Sequence, residues 1–171
     1  MKGNFDQCFK ITLVYEGGFS NHPKDPGGMT NLGVTKAVWE DFLNRDVTEA
    51  EMRALTPDLV KPVYKARYWD AVKGDDLPSG LDAVVYDFAV NSGPARAAKF
   101  LQRIVGAAED GKIGPGTLKL VGEHSADDLI EKMCEARLNF LRGLGTFATF
   151  GKGWTDRVAK LEAVAEKLST V

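Results

Sequence analysis

Two carboxylic acids and a hydroxyl group lie close together in the sequence, between residues 14 and 35. Glu16 precedes a pair of glycines, Asp25 opens a turn rich in glycine and proline, and Thr30 follows that turn. Hydrolysis of a glycosidic bond needs one carboxyl group that donates a proton and a second group that activates water or stabilises positive charge on the sugar. The three side chains therefore predict a glycosidase-type site, with Asp25 facing Glu16 across a sugar-sized gap and Thr30 holding the water.

The residues before Glu16 indicate how its proton could become available. Apolar side chains recur at helical spacing over residues 5–13, so the pattern predicts a helix that the glycine pair after Glu16 ends. A carboxylate in the last turn of a helix lies at the negative end of the helix dipole, which disfavours its charged form. Burial would raise its pKa further. The neighbours that we expect to bury it are Val14, Tyr15 and Phe19.

Each of the three residues also has an ordinary structural interpretation. Glu16 taken alone fits an exposed glutamate before a turn. Asp25 begins Asp-Pro-Gly-Gly, in which aspartate commonly caps the turn, and Thr30 fits a loop hydroxyl that bonds its own backbone. The longer pattern that connects the three positions decides between these interpretations.

From Glu16 to Thr35 the chain reads E-G-G-F-S-N-H-P-K-D-P-G-G-M-T-N-L-G-V-T. This run resembles the signature of glycoside hydrolase family 108, a family of bacterial and phage N-acetylmuramidases that cut peptidoglycan. The resemblance implies that the glutamate of the E-G-G motif, Glu16, is the catalytic residue. It also implies that Asp25 and Thr30 complete a Glu-Asp-Thr triad similar to that of phage-type lysozymes. The spacing from Asp25 to Thr30 is one residue shorter than in that triad, which makes Thr35 a second candidate.

Two further segments resemble the same family and supply candidate substrate-binding residues. Trp69 lies in the run Y-W-D at 68–70, and it is either a core residue, as single aromatics usually are, or a platform for a sugar. Tyr86 and Asn91 lie in Y-D-F-A-V-N-S-G at 86–93. Asn91 either caps a helix or hydrogen-bonds a sugar or the catalytic water. We take Tyr86 and Thr35 as further candidates for substrate binding.

The rest of the pattern predicts a mainly helical, lysozyme-like protein, with at most a short β-hairpin between Gly17 and Thr35. Apolar residues over 81–89 form the strongest helical stripe. The segments L-Q-R-I-V-G, D-G-K-I-G-P-G-T-L and G-K-G-W-T-D-R-V resemble a peptidoglycan-binding half that follows the catalytic half in this family. We expect a catalytic region at 1–93 and a helical peptidoglycan-binding region at 94–171. The chain has no Ser/Pro-rich linker, so we expect the two regions to pack as one unit.

Composition limits the classes of protein to which the chain can belong and the cofactors that it can bind. The chain of 171 residues is 44% apolar and 27% charged, with a formal net charge of −2, which is typical of a globular protein and argues against an electrostatic nucleic-acid binder. We expect no metal or cofactor, since His22 and His124 are isolated from other ligand types. Cys8 and Cys134 lie in apolar helical patterns and are expected to be buried free thiols. No apolar stretch reaches the length that stable membrane insertion needs.

These inferences predict a peptidoglycan hydrolase that cleaves the β-1,4 bond between N-acetylmuramic acid and N-acetylglucosamine. The alternatives are a lytic transglycosylase that uses Glu16 alone, and a non-catalytic wall-binding or secretion-accessory protein. The expected partner is the glycan strand, bound by a monomer. The N-terminal residues show no signal-peptide pattern. We therefore expect synthesis in the cytoplasm and action on the cell wall, in the periplasm, after release by a holin, a secretion system or another route. Both a phage and a bacterial origin fit the sequence.

Overall fold

A computed structural model describes residues 3–170, most of which are helical. A single short antiparallel hairpin pairs Thr30 with Thr35 and Asn31 with Val34 within this range. A π-helical turn at Lys65–Trp69 and a 3-10 turn at Gly74–Asp76 lie in the middle of the chain. The regular elements are α1 (Phe5–Leu13), β1 (Thr30–Asn31), β2 (Val34–Thr35), α2 (Lys36–Leu43), α3 (Glu49–Arg53), α4 (Pro57–Tyr64), α5 (Leu81–Ser92), α6 (Pro94–Val105), α7 (Pro115–Val121), α8 (Ala126–Arg142) and α9 (Phe147–Ser169).

Helix α5 forms the centre of the molecule. Every residue from Leu81 to Ala89 is buried, and α5 packs against α1, α6, α8 and α9. A helix that is apolar on all sides is stable only when other elements cover it completely, so α5 acts as the shared core for its neighbours. It contacts helices from both sides of the boundary predicted between residues 93 and 94, and the assignment of that boundary stays a prediction.

The start of α5 shows how closely α9 approaches it. Gly80 has φ +88°, and a Cβ placed on it would lie 2.3 Å from the backbone carbonyl oxygen of Ala165. Only glycine combines this backbone conformation with such a close approach. The C-terminal helix is therefore fixed against the centre of the fold by backbone as well as side-chain packing.

Side chains at three helix starts cap the helices that follow them. Each accepts a hydrogen bond from the backbone N–H three residues later; these residues are Thr35, Thr48 and Ser125. Pro62 lies inside α4, which begins at Pro57, so this proline does not reset the start of the helix. None of the helices within residues 3–170 is both long and apolar enough to cross a lipid bilayer.

Both cysteines are buried and free, as predicted. Burial raises the pKa of each thiol well above its ordinary value, so neither thiol ionises readily. Among the described residues, no group of three or more histidine, cysteine, aspartate or glutamate side chains is placed to hold a metal ion.

Candidate active site

Glu16 lies just beyond the end of α1, in two successive turns. The N–H of Tyr15 donates to the carbonyl of Thr12 at 3.0 Å, and the N–H of Glu16 donates to the carbonyl of Leu13 at 3.1 Å. The helix therefore ends at Leu13, several residues before the glycine pair that was expected to end it. The chain leaves the α-helical hydrogen-bond pattern at Val14 and continues in tighter turns, which places Glu16 outside the last helical turn.

The hairpin turn covers one side of the Glu16 carboxyl group. Leu32 and Gly33 form this turn with φ of 51° and 75°, as a two-residue turn between antiparallel strands favours. A Cβ on Gly33 would lie 2.6 Å from Oε2 of Glu16 and 2.4 Å from the hydroxyl oxygen of Tyr64. The Tyr64 hydroxyl donates a hydrogen bond to the carbonyl of Leu32 at 2.8 Å and so fixes the turn. Glycine at position 33 thus allows the turn to approach Glu16.

A buried cluster of charged side chains lies on another side of Glu16. Nη1 of Arg157, in α9, is 3.8 Å from Oε1 of Glu16. The same guanidinium donates two hydrogen bonds to Asp87, at 2.8 and 3.1 Å. Asp87 also accepts hydrogen bonds from Arg137 and from the hydroxyl of Thr12, each at 2.8 Å. Asp87 therefore holds α1, α5, α8 and α9 together and fixes the guanidinium that faces Glu16.

The surroundings of the two carboxyl groups shift their pKa values in opposite directions. Burial is the main influence on Glu16 and raises its pKa; Arg157 acts to lower it, Asp87 acts to raise it, and the net effect is a raised pKa. Burial also acts to raise the pKa of Asp87, but the two guanidinium groups outweigh it and hold that pKa below its ordinary value. Asp87 therefore stays ionised under conditions in which Glu16 can still carry a proton.

The cause of the raised pKa of Glu16 differs in part from the one expected. The helix ends before Glu16, so the expected placement of this residue in the last helical turn is wrong. Val14 is 79% exposed and does not bury the carboxyl group. The side chain of Glu16 keeps 20% of its surface accessible, which leaves a path for a substrate.

Asp25 lies in an exposed loop whose two ends are joined. The backbones of Ser20 and Thr30 exchange hydrogen bonds of 2.8 and 2.9 Å, which close the loop at its base. Within the loop, Oδ1 of Asp25 accepts a hydrogen bond from the N–H of Gly27 at 2.9 Å. This is the turn-capping contact that aspartate commonly makes. Its catalytic role stays a prediction.

Thr30 and Thr35 lie opposite each other in the hairpin, one on each strand. Both are half-buried, and the hairpin turn that joins their strands contacts Glu16. The hydroxyl of Thr35 accepts a hydrogen bond from the N–H of Val38 at 3.2 Å and so caps α2. The structure thus assigns Thr35 a structural contact, while the choice between the two threonines as a catalytic assistant stays a prediction.

The candidate substrate-binding residues divide into two groups. Asn91 is exposed, in the last turn of α5, four residues beyond Asp87, and its role in binding stays a prediction. Trp69 and Tyr86 are completely buried, with ring centroids 5.5 Å apart. Their assignment to substrate binding is wrong, because neither ring is accessible to a glycan. For Trp69 the alternative interpretation, a core residue, is correct.

Sequence reasoning did not identify Asp87, Arg137 and Arg157 as parts of the site. Two signals were available: Asp87 interrupts the most apolar helical stripe of the chain, and Arg137 lies on the buried face of α8. A charge in an apolar stripe requires a buried partner of opposite sign. The sequence does not show which residue is that partner, since Arg157 lies 70 positions from Asp87.

This chain is similar to known proteins over nearly its whole length. Residues 9–93 match the glycosyl hydrolase 108 family, and residues 96–159 match a family described as a predicted peptidoglycan domain. A solved structure, that of Brucella abortus SagA, is 48% identical to this chain, with a TM-score of 0.87 and coverage of 99% of this chain and 97% of that chain. The chain belongs to the glycosyl hydrolase 108 family. No curated protein matches it.

This membership makes the protein a glycoside hydrolase that acts on peptidoglycan. It also confirms the predicted fold class, a helical lysozyme-like domain with a short hairpin. Glu16, Asp25 and Thr30 lie in the first matched segment, whereas Arg157 lies in the second. The ion pair between Glu16 and Arg157 therefore joins residues from both segments in one site.

Proposed function

We propose that this glycosyl hydrolase is an N-acetylmuramidase, which hydrolyses the β-1,4 bond between N-acetylmuramic acid and N-acetylglucosamine with Glu16 as the general acid. The observation that carries the proposal is the environment of Glu16: a partly exposed carboxyl group whose pKa burial raises, next to a fixed guanidinium. A raised pKa lets Glu16 keep its proton to a higher pH than an ordinary glutamate, as acid catalysis of glycoside cleavage requires.

In the proposed reaction, the Glu16 carboxyl group donates its proton to the glycosidic oxygen as the bond from that oxygen to the sugar C1 breaks. The sugar acquires oxocarbenium character, and the oxygen of a water molecule forms the new bond to C1 as this water gives up one proton to the surrounding solvent. Glu16 becomes a carboxylate in this step. Arg157 stabilises that charge, since Asp87, Arg137 and Arg157 together carry one net positive charge that ionised Glu16 neutralises.

Asp25 and Thr30 are proposed to assist on the water side of the sugar. The loop that carries Asp25 is joined at its base to the hairpin, and the hairpin turn contacts Glu16. This connection supports a cleft between the loop and Glu16, in which Asp25 orients water or stabilises the sugar cation. Thr30, at the base of the loop, is proposed to hold the water.

A lytic transglycosylase is the second candidate. It needs one acid and no water, because a hydroxyl group of the muramyl residue itself attacks C1. The exposed position of Asp25 and the engagement of its Oδ1 with Gly27 favour this candidate, since they leave Glu16 as the one carboxyl group of the predicted triad with a buried environment.

Mass spectrometry of the products from purified peptidoglycan tests the proposal. We expect fragments with reducing N-acetylmuramic acid ends, which carry one added water per cleaved bond. Anhydro-muramyl ends would show that the enzyme is a transglycosylase. Reducing N-acetylglucosamine ends would contradict the proposed bond, and binding to the wall without released fragments would identify a non-catalytic protein.

We also propose that the enzyme acts as a monomer on the cell-wall side of the membrane, where its substrate lies. The family's peptidoglycan substrate supports the proposed location.

A further inference from the structure

The first turns of α9 present aromatic side chains to solvent. Phe150 is 54% exposed, and its ring centroid lies 5.7 Å from that of Trp154, which is half-buried. The ring centroid of Phe147 lies 6.3 Å from that of Trp154. We call Phe150 and Trp154, with Phe147 beside them, the aromatic platform. An exposed aromatic ring with aromatic neighbours can act as a binding surface, and its position in the fold decides whether it does so.

The aromatic platform lies in line with the candidate active site. Phe150, Trp154 and Arg157 occupy positions i, i+4 and i+7 of α9, and so they share one face of the helix. Phe150 is about 10 Å from Arg157 along the helix axis. Arg157 lies over the ring of Tyr15 at 4.8 Å and 3.8 Å from the carboxyl group of Glu16. The helix face that carries Phe150 and Trp154 therefore also carries the arginine that contacts Glu16.

A glycine in α9 allows the platform to form. A Cβ on Gly151 would lie 2.7 Å from the ring of Phe147, so any larger residue here would require that ring to move from its present position. Glycine inside a helix costs about 1 kcal/mol relative to alanine. The helix therefore has a destabilising residue at the position against which Phe147 packs.

We propose that the aromatic platform is a glycan-binding subsite, which holds a sugar of the same peptidoglycan strand that Glu16 cleaves. The apolar C–H face of a pyranose ring packs on Phe150 and Trp154, and the strand then runs along α9 past Arg157 to Glu16. The position of the platform beside Glu16 favours this occupant, because a polymeric substrate must extend beyond the bond that is cut. The proposal rests on Glu16 as the centre of the site, as proposed above.

Binding of soluble glycan strands, freed of their peptides, tests the subsite. The strands are titrated into Glu16→Gln protein, which keeps them intact, and into the same protein with Phe150→Ala. We expect about tenfold weaker binding with Phe150→Ala, which corresponds to about 1.4 kcal/mol. With Glu16 present, Phe150→Ala should raise KM by a similar factor and change kcat by less than twofold. The fluorescence of Trp154 should change on titration, and Trp154→Phe should remove that change.

Phe42→Ala is the matched control. Phe42 is also an exposed phenylalanine beside a tryptophan, 40% exposed, with its ring centroid 5.6 Å from that of Trp39. Its removal should leave glycan binding within twofold of the parent protein. An equal loss from Phe42→Ala would overturn the proposal, because the effect would then be general to exposed aromatics.

Two further results would overturn the subsite. The first is Phe150→Ala protein that binds glycan as the parent does. The second is analytical ultracentrifugation that shows a concentration-dependent dimer that Phe150→Ala disrupts, since the platform would then be an interface between copies of the chain. Failure of the proposed function would give a different result from these two. In that case Glu16→Gln protein would still cleave the strands, and Phe150→Ala would still raise KM.

Discussion

Replacing Arg157 with glutamine should lower kcat and change its dependence on pH, because Arg157 influences proton donation by Glu16. Arg157 acts to lower the pKa of Glu16, so its removal raises that pKa further. A general acid is active when protonated, and its activity is lost as pH rises through its pKa. The alkaline limb of kcat against pH should therefore move to higher pH in Arg157→Gln protein.

The separation of the two groups sets the size of the effect on kcat. Opposite unit charges about 4 Å apart interact by about 4 kcal/mol at the effective dielectric constant of a partly buried pair, which is an upper limit here. Asp87 already offsets much of the Arg157 charge through two hydrogen bonds. We expect about a third of the limit, roughly 1.4 kcal/mol, to be lost from the transition state, which lowers kcat about tenfold.

Arg137→Gln is the matched control for this experiment. Arg137 is buried and also donates to Asp87 at 2.8 Å. Its ion pair is with Asp87, whereas Arg157 contacts both Asp87 and Glu16. Removing either arginine takes one guanidinium partner from a buried carboxylate, and we expect each change to lower the free energy of unfolding by about 3 kcal/mol. Arg137→Gln should move the alkaline limb much less than Arg157→Gln. In Arg157→Lys protein, which keeps the positive charge, the alkaline limb should lie close to its position in the unmodified protein.

The assay is turbidity loss of purified peptidoglycan across pH, with circular dichroism at each pH to confirm that the variant is folded. An alkaline limb that stays in place, or moves to lower pH, in folded Arg157→Gln protein would refute the electrostatic argument. Equal shifts in the Arg157 and Arg137 variants would show that the effect is one of stability.

Three further predictions follow from backbone and capping contacts. Gly33→Ala should lower the melting temperature and reduce the lytic rate about tenfold, because φ of 75° and the contact with Glu16 exclude a Cβ. An unchanged lytic rate would contradict the proximity of the hairpin turn to the site. Thr30→Ala should lower kcat more than Thr35→Ala does. The main effect of Thr35→Ala should be the loss of a helix cap, which lowers the free energy of unfolding in denaturant by about 1 kcal/mol. A larger loss of kcat in Thr35→Ala protein would identify Thr35 as the assisting residue. Gly80→Ala should reduce the free energy of unfolding by at least about 2 kcal/mol without moving the pH–rate profile, and a moved profile would show that the packing of α9 also controls the site.

The parts of the fold that depend on neighbouring residues could be predicted from the sequence. The caps at Thr48 and Ser125 and the central helix follow from side-chain types at fixed spacings, which act within a few residues. A short hairpin is expected between Gly17 and Thr35, and it forms with its turn at Leu32 and Gly33. The position of Glu16 next to this turn depends on the same short stretch of chain.

The remainder of the site depends on contacts between distant parts of the chain. Arg157 reaches Glu16 only because α9 packs on α5 and Asp87 fixes the guanidinium, and no local pattern determines that packing. Trp69 shows a related limit of sequence reasoning. An aromatic residue in a helix has the same local pattern whether it faces the core or the cleft, and burial alone separates the two.

The most direct test of the account is the lytic activity of Glu16→Gln protein on purified peptidoglycan, measured beside its melting temperature. Glu49→Gln, a change at an exposed glutamate paired with Arg53, serves as the control and should lyse as the unmodified protein does. We predict that Glu16→Gln protein folds normally and loses at least about 100-fold of the lytic rate, since its amide cannot donate the required proton. Lysis at the unmodified rate by folded Glu16→Gln protein would contradict the account.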